Sequence, residues 1–286
     1  MNKQKIEFFA WPDSGSIKID AGLERHTQLS EFYQTGDEEK IVDNWDSQLK
    51  TGKFSYSAMV GSLWNVRKDN GVVIASYLPT KYHVYNAVAC PHKSSKSLSN
   101  KLRELMRVSS IGGVILTLDD KVLVQRRSTN VFAGGLLDSG VAGFSKVDEE
   151  CRLNFDSAVF EKLERELDIF PKDVSLLCQT SLHSSMGHDY SGMIGYLIKV
   201  NMEFEKIKDK LNEKYIDNIL PTSINQIPEF LFEHYVKRED MIGDGCALLL
   251  SILEPNAFMT TVQELKRRGK NIDFGILQEG KFVPTG

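Results

Sequence analysis

Two periods alternate along this chain, one of two residues and one of between three and four. "IGGVILTLDDKVLVQRR" is dense in β-branched residues on either side of Asp119-Asp120, which predicts two strands about a tight turn. "SLWNVRK" and "VVIASYL" flank Asp69-Asn70-Gly71, a hairpin signal, and the extended reading runs on through "LPTKYHVYN". "SGMIGYLIKVNM" predicts a further strand. Helical spacing takes over in "EEKIVDNWDSQLKTG", where Ile41, Trp45 and Leu49 share a face and Gly52 supplies a stop. "SSKSLSNKLRELMRV" places Leu98, Leu102, Leu105 and Met106 together, and "DGCALLLSIL" and "FMTTVQELKRRG" predict two late helices, the second closed by Gly269. The charged run "EFEKIKDKLNEK" reads as a solvated helix. The texture changes across Ser94 to Val108. The expected architecture is therefore a smaller α/β unit over 1–107, followed over 108–286 by an α/β domain with helices on both sides of a mixed sheet.

The helix "VFEKLERELDI" (Val159 to Ile169) shows most clearly what its faces carry. At about 100° per residue, Phe160, Leu163, Leu167 and Phe170 form an apolar stripe. Val159, Lys162, Glu166 and Arg165 lie towards one flank, and Glu161, Glu164 and Asp168 towards the other. Just upstream, Gly134, Gly135, Gly140 and Gly143 fall within ten residues, a density that implies unusual dihedrals or a close approach to a ligand. Arg126 and Arg127 end the preceding strand beside this loop, where a phosphate contact is one reading and solvated strand-end charge another.

Composition narrows the classes. Of 286 residues, 41% are apolar and 26% charged, the profile of a globular chain, and a formal net charge of -4 gives no indication of nucleic acid as a partner. Cys90, Cys151, Cys178 and Cys246 are too scattered for a zinc site or a disulfide framework. No stretch has the apolar length of a signal peptide or a bilayer span, so a cytoplasmic location is expected.

From Ile111 to about Leu250 the order of elements resembles the Nudix hydrolase family. That family's signature is a glycine, five residues, a glutamate, seven residues, then R-E-U-x-E-E-x-G-U, with U a bulky aliphatic. Gly143 and Glu149 have the first spacing, and "EKLERELDI" aligns as the second part with Leu163 and Ile169 at the U positions and Glu166 at the last glutamate. Four extra residues separate the two parts. In this register Glu161 stands at the arginine, Lys162 and Arg165 at two carboxylates, and Asp168 at the glycine. The N-terminal block, with its tryptophan helix and "LPTKYHVY", is similar to the accessory domain of members acting on nucleotide sugars.

The resemblance implies a Nudix-like α/β/α sandwich and a nucleotide or nucleotide-sugar ligand. Hydrolysis in the family needs Mg²⁺ or Mn²⁺ held by clustered carboxylates, which bridges the phosphates and activates water. Here two of those positions are cationic, and cations hold phosphate directly. The expected function is binding of a nucleoside diphosphate derivative with weak or absent hydrolysis, through Arg126, Arg127, Gly143, Lys162 and Arg165. The alternative is a divergent pyrophosphohydrolase with Glu149 and Glu166 as catalytic residues and Glu149, Glu150 and Glu166 holding the metal. A later acid among Glu229, Glu233 and Glu239 would assist it. A homodimer is left open. His183, His188 and Asp189 in "HSSMGHDYSG" form a less favoured serine–histidine–aspartate candidate.

Overall fold

A computed structural model describes residues 5–11, 17–50, 57–90, 98–131, 133–186, 191–270, 272–278 and 281–284. Strands β1 (Lys5–Ala10) and β2 (Lys18–Leu23) precede helix α1 (Asp37–Leu49). Strands β3 (Met59–Asp69) and β4 (Val72–Lys81) form a hairpin, and α2 (Tyr82–Ala89) and α3 (Asn100–Leu105) follow. The second half opens with β5 (Val108–Leu116), β6 (Val122–Arg127), β7 (Leu137–Ser139), β8 (Val141–Phe144) and α4 (Phe155–Leu167). It continues through β9 (Val174–Met186), β10 (Ser191–Val200), α5 (Phe204–Lys208), β11 (Ile216–Thr222), α6 (Ile227–Leu231), α7 (Gly243–Ser251) and α8 (Pro255–Arg267). Two short strands, β12 (Ile272–Gln278) and β13 (Lys281–Pro284), come last.

These strands make one mixed sheet, ordered β13-β12-β1-β9-β10-β5-β3-β4-β2, with β6, β7, β8 and β11 branching from β5. The central pair, β5 and β10, runs parallel, whereas β8 and β6 join β5 antiparallel. Alternation along a strand sends neighbours to opposite faces. Ile111 and Ile115 therefore pack with Val159, Leu163 and Leu167 of α4, while Val114 and Leu116 pack with Leu248 and Leu249 of α7. Helices cover both faces, the α/β sandwich expected from the sequence. Among the described residues no helix is long and apolar enough to cross a membrane.

The hairpin turn falls where Asp69-Asn70-Gly71 placed it: Asn70 and Gly71 both take positive φ, and Asp69 faces Val72. The strand after it stops at Lys81. "YHVYNAVA" is helical rather than extended, because Val84, Tyr85, Ala87 and Val88 bury at helical spacing against Leu29, Ile41 and Leu102. Helix α1 buries Ile41 and half-buries Trp45, as its apolar stripe implied, but the inward face is rotated towards Asn44. Leu49 is exposed, while Asn44 is buried and donates to Asn86 across the helix pair (3.1 Å). In "EFEKIKDKLNEK" only Phe204–Lys208 is helical, and Phe204 and Ile207 are buried, so this is an anchored turn rather than a solvated helix.

The sheet crosses the 107/108 seam. Ser62 of β3 pairs with Val108 of β5, and β1 lies between β9 and β12. Arg107 also reaches back to Glu7 (3.1 Å).

Candidate functional site

Where β8 runs into the branch of the sheet, the flank of α4 and the start of α7 enclose a cavity of about 220 Å³. Arg127, Asp138, Gly143, Lys162, Arg165, Glu166, Ser191 and Asp244 supply its polar lining, with Ser110 at its floor. Tyr85, Phe144, Met193 and Tyr215 supply apolar surface. The helix that frames it starts at Asn154, whose side chain accepts from the Ser157 amide (3.0 Å). It ends at Asp168, which takes a left-handed conformation (φ 53°), the geometry that favours glycine at a helix C-terminus. Val159 and Leu163 are fully buried at the centre of its apolar face, with Phe160 at the edge. That rotation brings Lys162 and Glu166 inwards.

Lys162 reaches the cavity because Gly143 has no side chain: a Cβ there would collide with Cε of Lys162. Burial pulls the ammonium's pKa down from 10.5 to about 8, against the opposing pull of Glu166. The Lys162 Nζ to Glu166 Oε1 distance is 3.8 Å, whereas Arg165 Nη2 lies 2.6 Å from the same oxygen. Arg165 also stacks over the Tyr215 ring (4.6 Å), and its buried Nε has no hydrogen-bond partner. On the other wall, Arg127 Nη1 donates to Asp138 Oδ2 (2.8 Å). Burial raises the pKa of Asp138, and Arg127 opposes that rise. Asp244, on the first turn of α7, accepts from Ser191 Oγ (2.8 Å).

Five of the residues singled out from the sequence thus share one cavity: Arg127, Gly143, Lys162, Arg165 and Glu166. Arg126 does not. Strand alternation turns it away, to the Gly135 carbonyl (2.7 Å) and Asp240 (3.2 Å). Glu149 and Glu150 also lie outside, exposed on a turn that folds upon itself, and do not line the cavity with Glu166. Asp148 Oδ1 accepts from the amides of Glu150 (3.0 Å) and Arg152 (2.8 Å), and Arg152 pairs with Glu150. Among the late acids, Glu233 pairs with Lys237 and Arg238, and Glu239 with Lys270. Glu229 borders a separate open groove.

His183 is fully buried, with Nδ1 3.0 Å from Ser181 Oγ and a pKa lowered by burial to about 3. That is a core histidine, whose Nε2 lies 3.8 Å from Asp244 Oδ1. His188 and Asp189 lie outside the described residues.

The implied divalent metal fits this donor set poorly. Glu166 is held by Arg165 and Asp138 by Arg127, and no three His, Cys, Asp or Glu side chains among the described residues are grouped to hold an ion. Sequence reading passed over Asp138, Asp244, Ser110 and Ser191. Asp138 and Asp244 sit beside glycines, in "LLDSG" and "GDG", and an acid in a glycine run was the available signal. Ser110 and Ser191 carry no such mark.

Comparison with known proteins leaves the family undecided. No family model matches the chain, and no curated protein does. Among solved structures, the chain is similar to the crystal structure of DR0079 from Deinococcus radiodurans, at 13% identity and a TM-score of 0.40. The match covers 68% of this chain and 97% of that one. A likeness at that level carries no functional argument.

Proposed function

We propose that this cavity holds the phosphate groups of a nucleoside diphosphate derivative directly on cationic side chains, with little or no hydrolysis. The observation that carries the reading is the pair Lys162 and Arg165. Both line the cavity at positions where the Nudix resemblance implies metal-binding carboxylates, and Arg127 faces them. A lysine kept 15% exposed, with its pKa depressed and its carboxylate 3.8 Å away, gains most from an incoming anion. The unpartnered Nε of Arg165 adds an unused donor. Tyr215, Tyr85 and Phe144 provide surface for the apolar remainder of such a ligand. At about 220 Å³ the enclosed space lies below the roughly 300–1,000 Å³ of pockets that swallow whole ligands, so a nucleotide would leave part of itself outside.

The divergent pyrophosphohydrolase remains the second reading, because Asp138, Glu166 and Asp244 do line the same space. An assay of nucleoside diphosphate derivatives with Mg²⁺ or Mn²⁺ separates the two. The binding reading expects thermal stabilisation by nucleotides in EDTA and no turnover. Metal-dependent turnover that disappears in Glu166→Gln would end it.

A further inference from the structure

The cationic side chains are not the whole lining of the cavity. Ser110, Ser191 and Asp244 line it too, each of them buried. Ser110 lies on β5 directly opposite Met193 of β10, one register step from the pair Gly192–Ser109, and Ser191 lies two residues earlier on β10. Alternation therefore puts Ser110, Ser191 and Met193 on the same face of the sheet, the one that α7 covers. The Ser191 hydroxyl spends its proton on Asp244, so it presents lone pairs rather than a donor. Asp244 is a carboxylate, which accepts only. Ser110 is 2% exposed, and its Oγ has no hydrogen-bond partner. A buried hydroxyl left unpaired is costly, and most such groups in folded proteins are satisfied by protein, water or ligand.

We infer that Ser110, Ser191 and Asp244 form a subsite for the sugar hydroxyls of the bound ligand, with Asp244 accepting from the diol and Ser110 completing the contact. This rests on the phosphate-binding reading and extends it. The polarity of the wall sets the chemistry: acceptors on the protein call for donors on the ligand, and a pentose diol offers two adjacent ones. At about 220 Å³, below the roughly 300–1,000 Å³ of pockets that take in whole ligands, the cavity matches a sugar with its phosphate better than an entire nucleotide. Lys162 from α4 and Asp244 from α7 come from helices on opposite faces of the sheet, so phosphate and diol would be gripped from two sides.

The test uses the full-length protein in EDTA, titrated with inorganic pyrophosphate, ADP and 2′,3′-dideoxy-ADP. The expected result is pyrophosphate binding, with ADP at least about tenfold tighter than the dideoxy analogue, as loss of hydrogen bonds to a charged acceptor entails. Ser110→Ala removes an oxygen with no protein partner and narrows that preference about threefold or more. Asp244→Asn abolishes the preference. Pyrophosphate binding with ADP and dideoxy-ADP within twofold of each other overturns the diol subsite and leaves the anion site standing. Failure of pyrophosphate itself to bind overturns the parent reading and the subsite with it.

Discussion

Replacing Lys162 with methionine should stabilise the protein while weakening the anion binding proposed for the cavity. Methionine keeps the length of the side chain and discards the ammonium. Burial lowers the lysine's pKa from 10.5 to about 8, and each unit corresponds to about 1.4 kcal/mol. The charged form therefore costs the native state about 3 kcal/mol net of the attraction from Glu166, which keeps its 2.6 Å partner Arg165 in the variant. The pH dependence follows from the direction of the shift. Below pH 8 the lysine is protonated both folded and unfolded, so the full penalty is present. Between pH 8 and 10.5 the unfolded chain binds more protons than the folded one, and wild-type stability rises with pH. Above that the penalty is gone. Denaturant unfolding of wild type and Lys162→Met, run in parallel, should show the variant ahead by about 3 kcal/mol at pH 7 and the gap closing towards pH 10.5. A variant less stable than wild type at pH 7, or a gap that ignores pH, would refute the reasoning.

Substitutions at three further positions probe the site and the helix that frames it. In Gly143→Ala the new methyl meets the flexible end of Lys162 rather than backbone, so stability should fall by less than about 1 kcal/mol while phosphate affinity drops as the ammonium is displaced; melts and titrations separate the two effects. Arg127→Met strands the fully buried Asp138 and should cost about 3–5 kcal/mol at neutral pH. That loss should shrink as acid protonates Asp138, whose pKa burial raises. At Asp168, a β-branched valine forced to φ 53° should destabilise by about 1–2 kcal/mol. Glycine there should be neutral within about 0.5 kcal/mol, since it trades backbone strain for entropy.

What the sequence disclosed about this molecule tracks how local each interaction is. The Asn70-Gly71 turn and the Asp119-Asp120 turn were legible because they are decided by two or three neighbouring dihedrals. Helix α4 was legible from Val159 onwards because its amphipathic period is local; its first turn from Phe155, capped by Asn154, was not read. Periodicity also put Lys162 and Glu166 on one flank. It failed in "YHVYNAVA", where a short apolar run suits a buried strand or a buried helix equally and tertiary packing decides. Glu149 and Glu150 were singled out by motif spacing rather than period, and that spacing does not carry the path of the turn between β8 and α4, where Asp148 caps its own loop. Of the serine and aspartate wall only Asp244 carried a local signal, its place in "GDG". Ser110, Ser191 and Asp244 come from three elements far apart in the chain, and only the register of β5 on β10 and the seat of α7 bring them together.

On the proposed reading, the buried Lys162 holds phosphate directly, without a metal. Calorimetric titration of inorganic pyrophosphate into metal-free wild type and Lys162→Met at pH 7 tests it most directly. The account predicts saturable binding by the wild type in EDTA and a loss of about tenfold or more in the variant, the worth of a hydrogen bond to a charged group. Equal affinity in the two proteins, or binding by the wild type only when Mg²⁺ is restored, would contradict it.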